Sequence, residues 1–294
     1  MDAIAHRAEA LLGAAVVATS PVAGGDICTA TRLRLPDGSS AVVKARPQAP
    51  EGFFPAEARG LRWLAEARAA GGVDVPEVLA VEEDCLILAW VESSRPSIEA
   101  AEGFGRSLAR THAAGAEAFG DPGGNAGGAG RDGFIGMLPM PNRPAPHWTE
   151  FFATRRVLPY LKLARDRARI ADQDAAAVEA VVAKITELAG PDEPPARLHG
   201  DLWSGNLVWG TQGRVWLIDP AAHGGHRESD LAMLSLFGCP QLPRVLDAYD
   251  EAAPLADGWR DRVALHQLFP LLVHACMFGG GYGARAGEAA RSYL

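Results

Sequence analysis

This 294-residue sequence predicts a two-lobed α+β fold, with a small β-rich N-terminal lobe over residues 1–91 and a larger, mostly helical C-terminal lobe over 92–294. Three observations predict it. The chain is long enough for two cores, since single cores usually stop growing near 250 to 300 residues. Strand-like runs bounded by turn residues crowd into the first ninety positions, while helical periodicity dominates from Ile98 onward. The helical part is broken once, by a short, apolar, turn-rich segment over 197–220.

Residues 1–18 read as an amphipathic helix, with Ile4, Ala8, Leu11, Leu12 and Val16 at helical spacing. Gly24-Gly25 then precedes two strands, Ile27 to Leu35 and Ser40 to Ala45, joined through Pro36-Asp37-Gly38. Phe54 to Ala70 reads as a helix, with Pro55 in its first turn, Leu61, Leu64 and Ala65 on one face, and Gly71-Gly72 as its stop. Val78 to Val81 and Cys85 to Val91 are two further strands, the second leading into a short linker. Helices are expected over 98–114, 147–168, 171–189, 229–237, 242–251 and 259–278, and strands over Leu207 to Trp209 and Val215 to Ile218. The Gly-, Pro- and Asn-rich stretch 120–146 reads as a long surface loop.

Composition narrows the partners. Hydrophobic residues at 48% and charged residues at 22% are globular values, which excludes wholesale disorder and fibrous repeats. A net charge of −8 disfavours a nucleic-acid surface. Cysteines 28, 85, 239 and 276 are scattered without a C-x-x-C pair, so reduced thiols are expected rather than a zinc knuckle or a disulfide framework. No apolar run approaches the roughly 18 residues that span a bilayer, and Asp2 and Glu9 sit where a signal peptide wants basic residues. The expected compartment is the cytoplasm, with no membrane or nucleic-acid partner.

The chemistry concentrates in Leu198-His199-Gly200-Asp201-Leu202-Trp203-Ser204-Gly205-Asn206, followed by Val215-Trp216-Leu217-Ile218-Asp219-Pro220. Phosphoryl transfer needs a carboxylate for the attacking hydroxyl, and an amide oxygen with a second carboxylate to hold magnesium against the phosphates. Asp201, Asn206 and Asp219 supply that set, with Asp201 as base and Asn206 and Asp219 as metal ligands. The order resembles the kinase catalytic loop, in which Asp precedes Asn by five positions and a magnesium-binding Asp follows a short hairpin. His-Gly-Asp replaces His-Arg-Asp here, and the missing Arg favours a small-molecule kinase over a protein kinase. Upstream, Lys44 is placed to reach the α- and β-phosphates of ATP, and Glu57 to hold Lys44 by an ion pair. Gly24 and Gly25 are positioned as a phosphate-side turn, and Ala89, Trp90 and Val91 as the linker against the nucleotide. Trp203 is a candidate stacking face for a sugar, with core packing as its alternative. His199 is a candidate substrate neighbour whose simpler role is to orient the loop. Asp230 pins the loop, Arg227 is as well suited to a structural ion pair as to a ligand, and His223 and His226 read as surface loop.

HGDLWSGN, the IDPA after it, and His226-Arg227-Glu228-Ser229-Asp230-Leu231-Ala232-Met233 with Leu236-Phe237-Gly238 resemble the fructosamine kinase family, the ketosamine 3-kinases. Phe134-Ile135-Gly136, Pro141-Asn142, Trp148, Phe151-Phe152 and Arg155-Arg156 extend the resemblance, which runs from about Val22 to the C-terminus. Gly133 stands where that family usually has Asn, and Met140 where it has Gln. The resemblance implies a protein-kinase-like fold, ATP and Mg2+ as cofactors, and transfer to the 3-hydroxyl of a sugar ketoamine, free or protein-bound, in a deglycation role. Two other readings stand beside it. An aminoglycoside- or choline-type kinase would call for a dense acidic acceptor pocket, which 259–294 does not show. A catalytically inactive binding module would be expected to lack one of Lys44, Glu57, Asp201, Asn206 and Asp219.

Overall fold

A computed structural model of the chain describes residues 3–23, 27–120 and 132–294. Helix α1 (Ala3–Leu12) packs Ala5 and Ala8 against Leu33, Val43 and Ile87 of the sheet. It ends six residues short of the expected helix, because Gly13 adopts a left-handed φ of 63° and the Val16 amide donates back to the Glu9 carboxylate at 2.8 Å. The chain then extends into a strand that helical periodicity conceals, β1 (Ala18–Pro21). It pairs with β2 (Thr29–Arg34), and β2 with β3 (Ser40–Ala45), all antiparallel.

Helix α2 (Phe53–Glu66) buries Phe54, Ala58, Leu61 and Leu64, and a 3-10 turn over Ala67–Ala70 ends at Gly71, again left-handed. Strands β4 (Val78–Val81) and β5 (Cys85–Ala89) complete a five-stranded sheet of order β1-β2-β3-β5-β4. Strand alternation divides its two faces. Cys85 and Ile87 join the core under α1, whereas Leu86 and Leu88 join the core under α2.

The C-terminal part begins with α3 (Ile98–Ala113), whose first turn is capped by the Ser97 hydroxyl accepting from the Ala100 amide at 3.1 Å. Within the expected surface loop 120–146, residues 132–146 are built differently. β6 (Gly133–Ile135) and β7 (Leu138–Met140) form a hairpin whose Ile135, Leu138 and Met140 are buried, turned by Gly136 at φ 57°. Residues 121–131 lie outside the described chain.

The helix expected over 147–168 is three pieces, α4 (Trp148–Phe151), a π-helical turn over Phe152–Val157, and α5 (Leu158–Asp166). The π turn carries Arg156 into the interior. Its guanidinium donates to the Pro141 carbonyl at 2.6 Å and to Asn142 Oδ1 at 2.7 Å, and lies 4.5 Å from the Phe151 ring centre. The expected 171–189 helix likewise divides at Lys184 into α6 (Asp172–Ala183) and α7 (Ile185–Leu188).

Short strands β8 (Ala196–Leu198), β9 (Leu207–Trp209), β10 (Val215–Leu217) and β11 (His223–Gly225) then pair as β8 with β11 and β9 with β10. Helices α8 (Glu228–Phe237), α9 (Leu242–Ala252), α10 (Trp259–Phe278) and α11 (Tyr282–Arg291) follow. Among the described residues no helix is long and apolar enough to cross a membrane.

His223 and His226 are not in a surface loop. Pairing of β11 with β8 sets His223 opposite Leu198, His223 and His226 are only 4% and 3% exposed, and burial holds both imidazoles neutral by pushing their pKa down to about 3. His226, Glu228 and His266 bring their ligand atoms within 4.8 Å of one another, a grouping that could hold a metal ion. A guanidinium already pairs with its carboxylate. Arg262 donates to both Glu228 oxygens at 2.6 and 3.0 Å, and with His266 it outweighs the upward push of burial, leaving the carboxyl at about 2. Arg262→Ala is expected to cost about 3–5 kcal/mol, the usual penalty for stranding a buried charge. Urea denaturation checks this, and adding Glu228→Gln should recover part of the loss.

Candidate active site

The N-terminal sheet and the segment 199–219 meet through Lys44. Its ammonium donates to Glu57 Oε1 at 2.6 Å and to Asp219 Oδ1 at 2.8 Å, so β3, α2 and the strand end after β10 converge on one cation. Burial alone would lower the Lys44 pKa, but the two carboxylates more than offset it and leave the group charged. Burial also raises Glu57 above the usual carboxylate range, against the pull of Lys44. Asp219 sits in the left-handed region at φ 55°, unusual for a residue with a Cβ.

Asn206 closes a 3-10 turn over Ser204–Asn206 and donates through Nδ2 to the Asp201 carbonyl at 2.8 Å and to Asp201 Oδ2 at 3.0 Å. Both bonds use the amide nitrogen, which leaves the Asn206 oxygen available. Burial pushes the Asp201 carboxyl up to about 7; the Asn206 bond opposes this, and the charges of Asp219 and Asp230 add to it.

Behind the loop, Asp230 on α8 accepts from the His199 amide at 2.8 Å and the Gly200 amide at 2.9 Å, so it pins the segment as the sequence suggested. His112 on α3 reaches Asp230 at 3.2 Å and the Tyr249 hydroxyl on α9 at 2.8 Å, extending the support to two more helices. Gly200 turns at φ 81°, and a Cβ there would overlap the Ala221 carbonyl.

The placement of His199 corrects one expectation. Its ring is 1% exposed, donates from Nε2 to the Ile218 carbonyl at 2.9 Å and accepts the Asp201 amide on Nδ1 at 3.2 Å. No face is left for a substrate, so His199 ties the loop to the strand end before Asp219. Trp203, by contrast, is 39% exposed and stands edge-on to Phe237 at 6.1 Å between centres. His274 and Phe278 continue that wall, with ring centres 4.7 Å and 5.5 Å apart in succession. No motif marks His274, which lies seventy-one residues from Trp203 towards the C-terminal end of the apolar helix α10. Arg227 is a structural partner, forked onto Glu193 at 2.7 Å through two nitrogens.

In the linker, the Ala89 and Trp90 amides are spent on the Glu77 and Ser40 carbonyls at 2.9 and 3.0 Å. They fix the strand end at the opposite end of β3 from Lys44. Val91 follows them at the mouth of the same linker. Gly24 and Gly25 lie outside the described residues.

The fructosamine kinase family model matches residues 1–294, from one end of the chain to the other. The chain belongs to the fructosamine kinase family. Among similar proteins is one of Thermus thermophilus named Probable ketoamine kinase, 36% identical over 263 residues, which cover 89% of this chain and 88% of that one. The crystal structure of a Thermobifida fusca protein assigned as a fructosamine-3-kinase superposes with a TM-score of 0.91 at 47% identity, covering 99% and 98% of the two chains. An ADP-bound aminoglycoside phosphotransferase shares the fold at a TM-score of 0.63 and 14% identity over 99% of this chain and 98% of its own. This member of the fructosamine kinase family has the protein-kinase-like fold that the loop motif implied, with an N-terminal antiparallel sheet and a helical C-terminal part.

The donor set suits magnesium. Asp219, which contacts the Lys44 ammonium, and the Asn206 amide oxygen are hard oxygen ligands, the type that Mg2+ prefers. Bound there with a nucleotide, the ion would neutralise charge on the phosphate oxygens.

Proposed function

We propose that this fructosamine kinase family member transfers the γ-phosphoryl group of ATP to the 3-hydroxyl of a ketosamine, so that the phosphorylated sugar can leave its amine and the amine is deglycated. The observation that carries the reading is the contact of Asn206 with Asp201 beside the Lys44–Asp219 pair, because it gathers a base, two metal ligands and a phosphate-reaching cation into one cleft. Asp201 accepts the hydroxyl proton as the oxygen attacks phosphorus. The new O–P bond forms, the bond from γ-phosphorus to the β-bridging oxygen breaks, and ADP leaves. Lys44 steadies the α- and β-phosphates, with Glu57 holding its ammonium in place. Trp203, flanked by Phe237 and His274, offers a stacking face to the sugar. ADP on the aminoglycoside phosphotransferase of the same fold supports a nucleotide in this cleft.

The reading is tested by ADP release from purified protein with ATP, Mg2+ and a panel of fructosamines, ribulosamines, aminoglycosides and choline. Turnover confined to the ketosamines is expected; turnover of an aminoglycoside with none of any ketoamine would replace the acceptor while leaving the kinase chemistry intact.

The raised Asp201 pKa implies a pH dependence. With its carboxyl at about 7, the free enzyme holds the base protonated below neutrality, so kcat/KM should fall about tenfold per pH unit on the acid side of that value. Added Mg2+, as a nearby positive charge, should shift the limb to lower pH. A pH profile of wild type beside Asp201→Asn checks this, since a limb that persists in the variant belongs to the substrates.

A further inference from the structure

Arg46 lies just past the end of β3, two residues beyond Lys44, and like Lys44 it meets helix α2. The two cations meet α2 one helical turn apart and are received differently. Lys44 finds Glu57, whereas Arg46 finds Phe53, four residues earlier, with its guanidinium carbon 5.3 Å from the ring centre. An aromatic face therefore stands where a carboxylate would have neutralised the second cation. The Arg46 Nη2 reaches only the Met137 sulfur, at 3.6 Å. Nη1 is buried and has no hydrogen-bond partner among the described residues, and none of their carboxylates forms an ion pair with Arg46. A buried donor left unpaired is costly and calls for an explanation.

Its place in the cleft supplies one. The start of β3 lies at the linker, where the Trp90 amide meets the Ser40 carbonyl, and its end lies at the turn between β1 and β2, where Ala45 pairs with Thr29. Going from Lys44 to Arg46 therefore leads away from the linker, past the phosphate-reaching lysine. There the tip of the β6–β7 hairpin presents Met137 to Arg46, and Gly136 packs against Met277, the neighbour of Phe278 and three residues from His274. The hairpin tip thus links the Arg46 guanidinium to the stretch of α10 that carries His274 and Phe278.

We propose that Arg46 is an anion anchor for the acceptor, binding an oxyanion carried by the ketosamine, a carboxylate on its amine half or a phosphate on its sugar half. A guanidinium whose Nη1 lacks a partner and whose Nη2 holds only a weak sulfur acceptor has donors to offer either group. The proposal rests on the ketosamine reading and adds to it a charge preference among acceptors.

The test compares three ketosamines of one sugar, one made on a simple alkylamine, one on an amino acid, and one on the alkylamine with the sugar phosphorylated at its terminal carbon. Wild type should favour at least one anionic acceptor over the neutral one by about ten- to a hundred-fold in kcat/KM, the range for one charge-assisted contact. Which acceptor is favoured identifies the source of the anion. Arg46→Gln should erase the preference while leaving the KM for ATP and the turnover of the neutral acceptor near wild type. Equal kcat/KM for all three acceptors in wild type overturns the anchor and leaves the ketosamine reading standing. A rise in the KM for ATP that is the same for every acceptor also overturns it, by assigning Arg46 to the nucleotide. Calorimetry of the same ketosamines with a non-hydrolysable ATP analogue reads the preference without turnover; absence of both binding and turnover for all three would remove the ketosamine reading and the anchor together.

Discussion

Asp201→Asn is expected to lower turnover roughly 10²- to 10⁴-fold, the usual contribution of a positioned general base, while ATP affinity stays near that of wild type. Asparagine keeps the volume and the contact to Asn206 but cannot take the hydroxyl proton. Asp201 contacts neither Lys44 nor a backbone group of the nucleotide linker, so nucleotide binding has no reason to follow the loss. Residual turnover is expected, because positioning and electrostatics carry much of the rate in phosphoryl transfer.

The same substitution should raise stability. A carboxyl whose pKa rises from about 4 in the unfolded chain to about 7 in the fold is held protonated by the native state, so ionising it across that interval costs stability, and the cost is fully present above pH 7. Asp201→Asn removes that cost, and its Tm at pH 8 should exceed that of wild type, with the difference vanishing near pH 4. Single-turnover phosphorylation, ATP affinity and thermal denaturation of the two proteins make the comparison. Near-normal turnover would remove Asp201 as base, and joint loss of ATP binding would assign it to the metal.

Asp219→Ala should abolish the magnesium-dependent part of nucleotide binding, the other large effect. Asp219 is the one carboxylate in contact with Lys44 that is also half open to the cleft; the other, Glu57, is enclosed with the lysine. Its left-handed backbone is a strained conformation that the surrounding segment must hold, consistent with a carboxylate placed for a ligand. Without it, Asn206 alone offers a single neutral oxygen, too little for a strongly hydrated divalent ion. Calorimetric titration of ATP with and without Mg2+ should show a large magnesium enhancement in wild type and none in the variant. An enhancement that survived would place the ion elsewhere. Lys44→Met is the control, since it should weaken ATP binding in both conditions and leave the enhancement in place.

Much of the site was legible because its residues are close in sequence or ordered by local elements. Asp201 and Asn206 are five apart across one turn, and a single hairpin carries the chain on to Asp219. The strand carrying Lys44 and the helix carrying Glu57 both announce themselves by period. What escaped has physical causes. Ala18–Pro21 is exposed at every position, so no alternation marks it as a strand. Gly133–Met140 looks like loop because glycine and proline dilute the apolar residues that tertiary packing buries. His223 and His226 carry polar side chains whose burial depends on β11 pairing with β8, a contact between segments some twenty-five residues apart.

The sequence by itself determined the two-lobed α+β class, the helical periods of the C-terminal part, and the ordered set Lys44, Glu57, Asp201, Asn206 and Asp219, because each rests on short-range spacing that the chain cannot escape. Only the tertiary structure decided which charges neutralise one another. Glu57 meets Lys44 while Phe53 meets Arg46, Arg262 pairs with Glu228 beside His226 and His266, and Asp230 holds the His199–Gly200 turn under support from His112 and Tyr249. Those pairings join residues 7 to 137 positions apart, and Coulomb energy and burial depend on distance in space, which spacing along the chain does not encode.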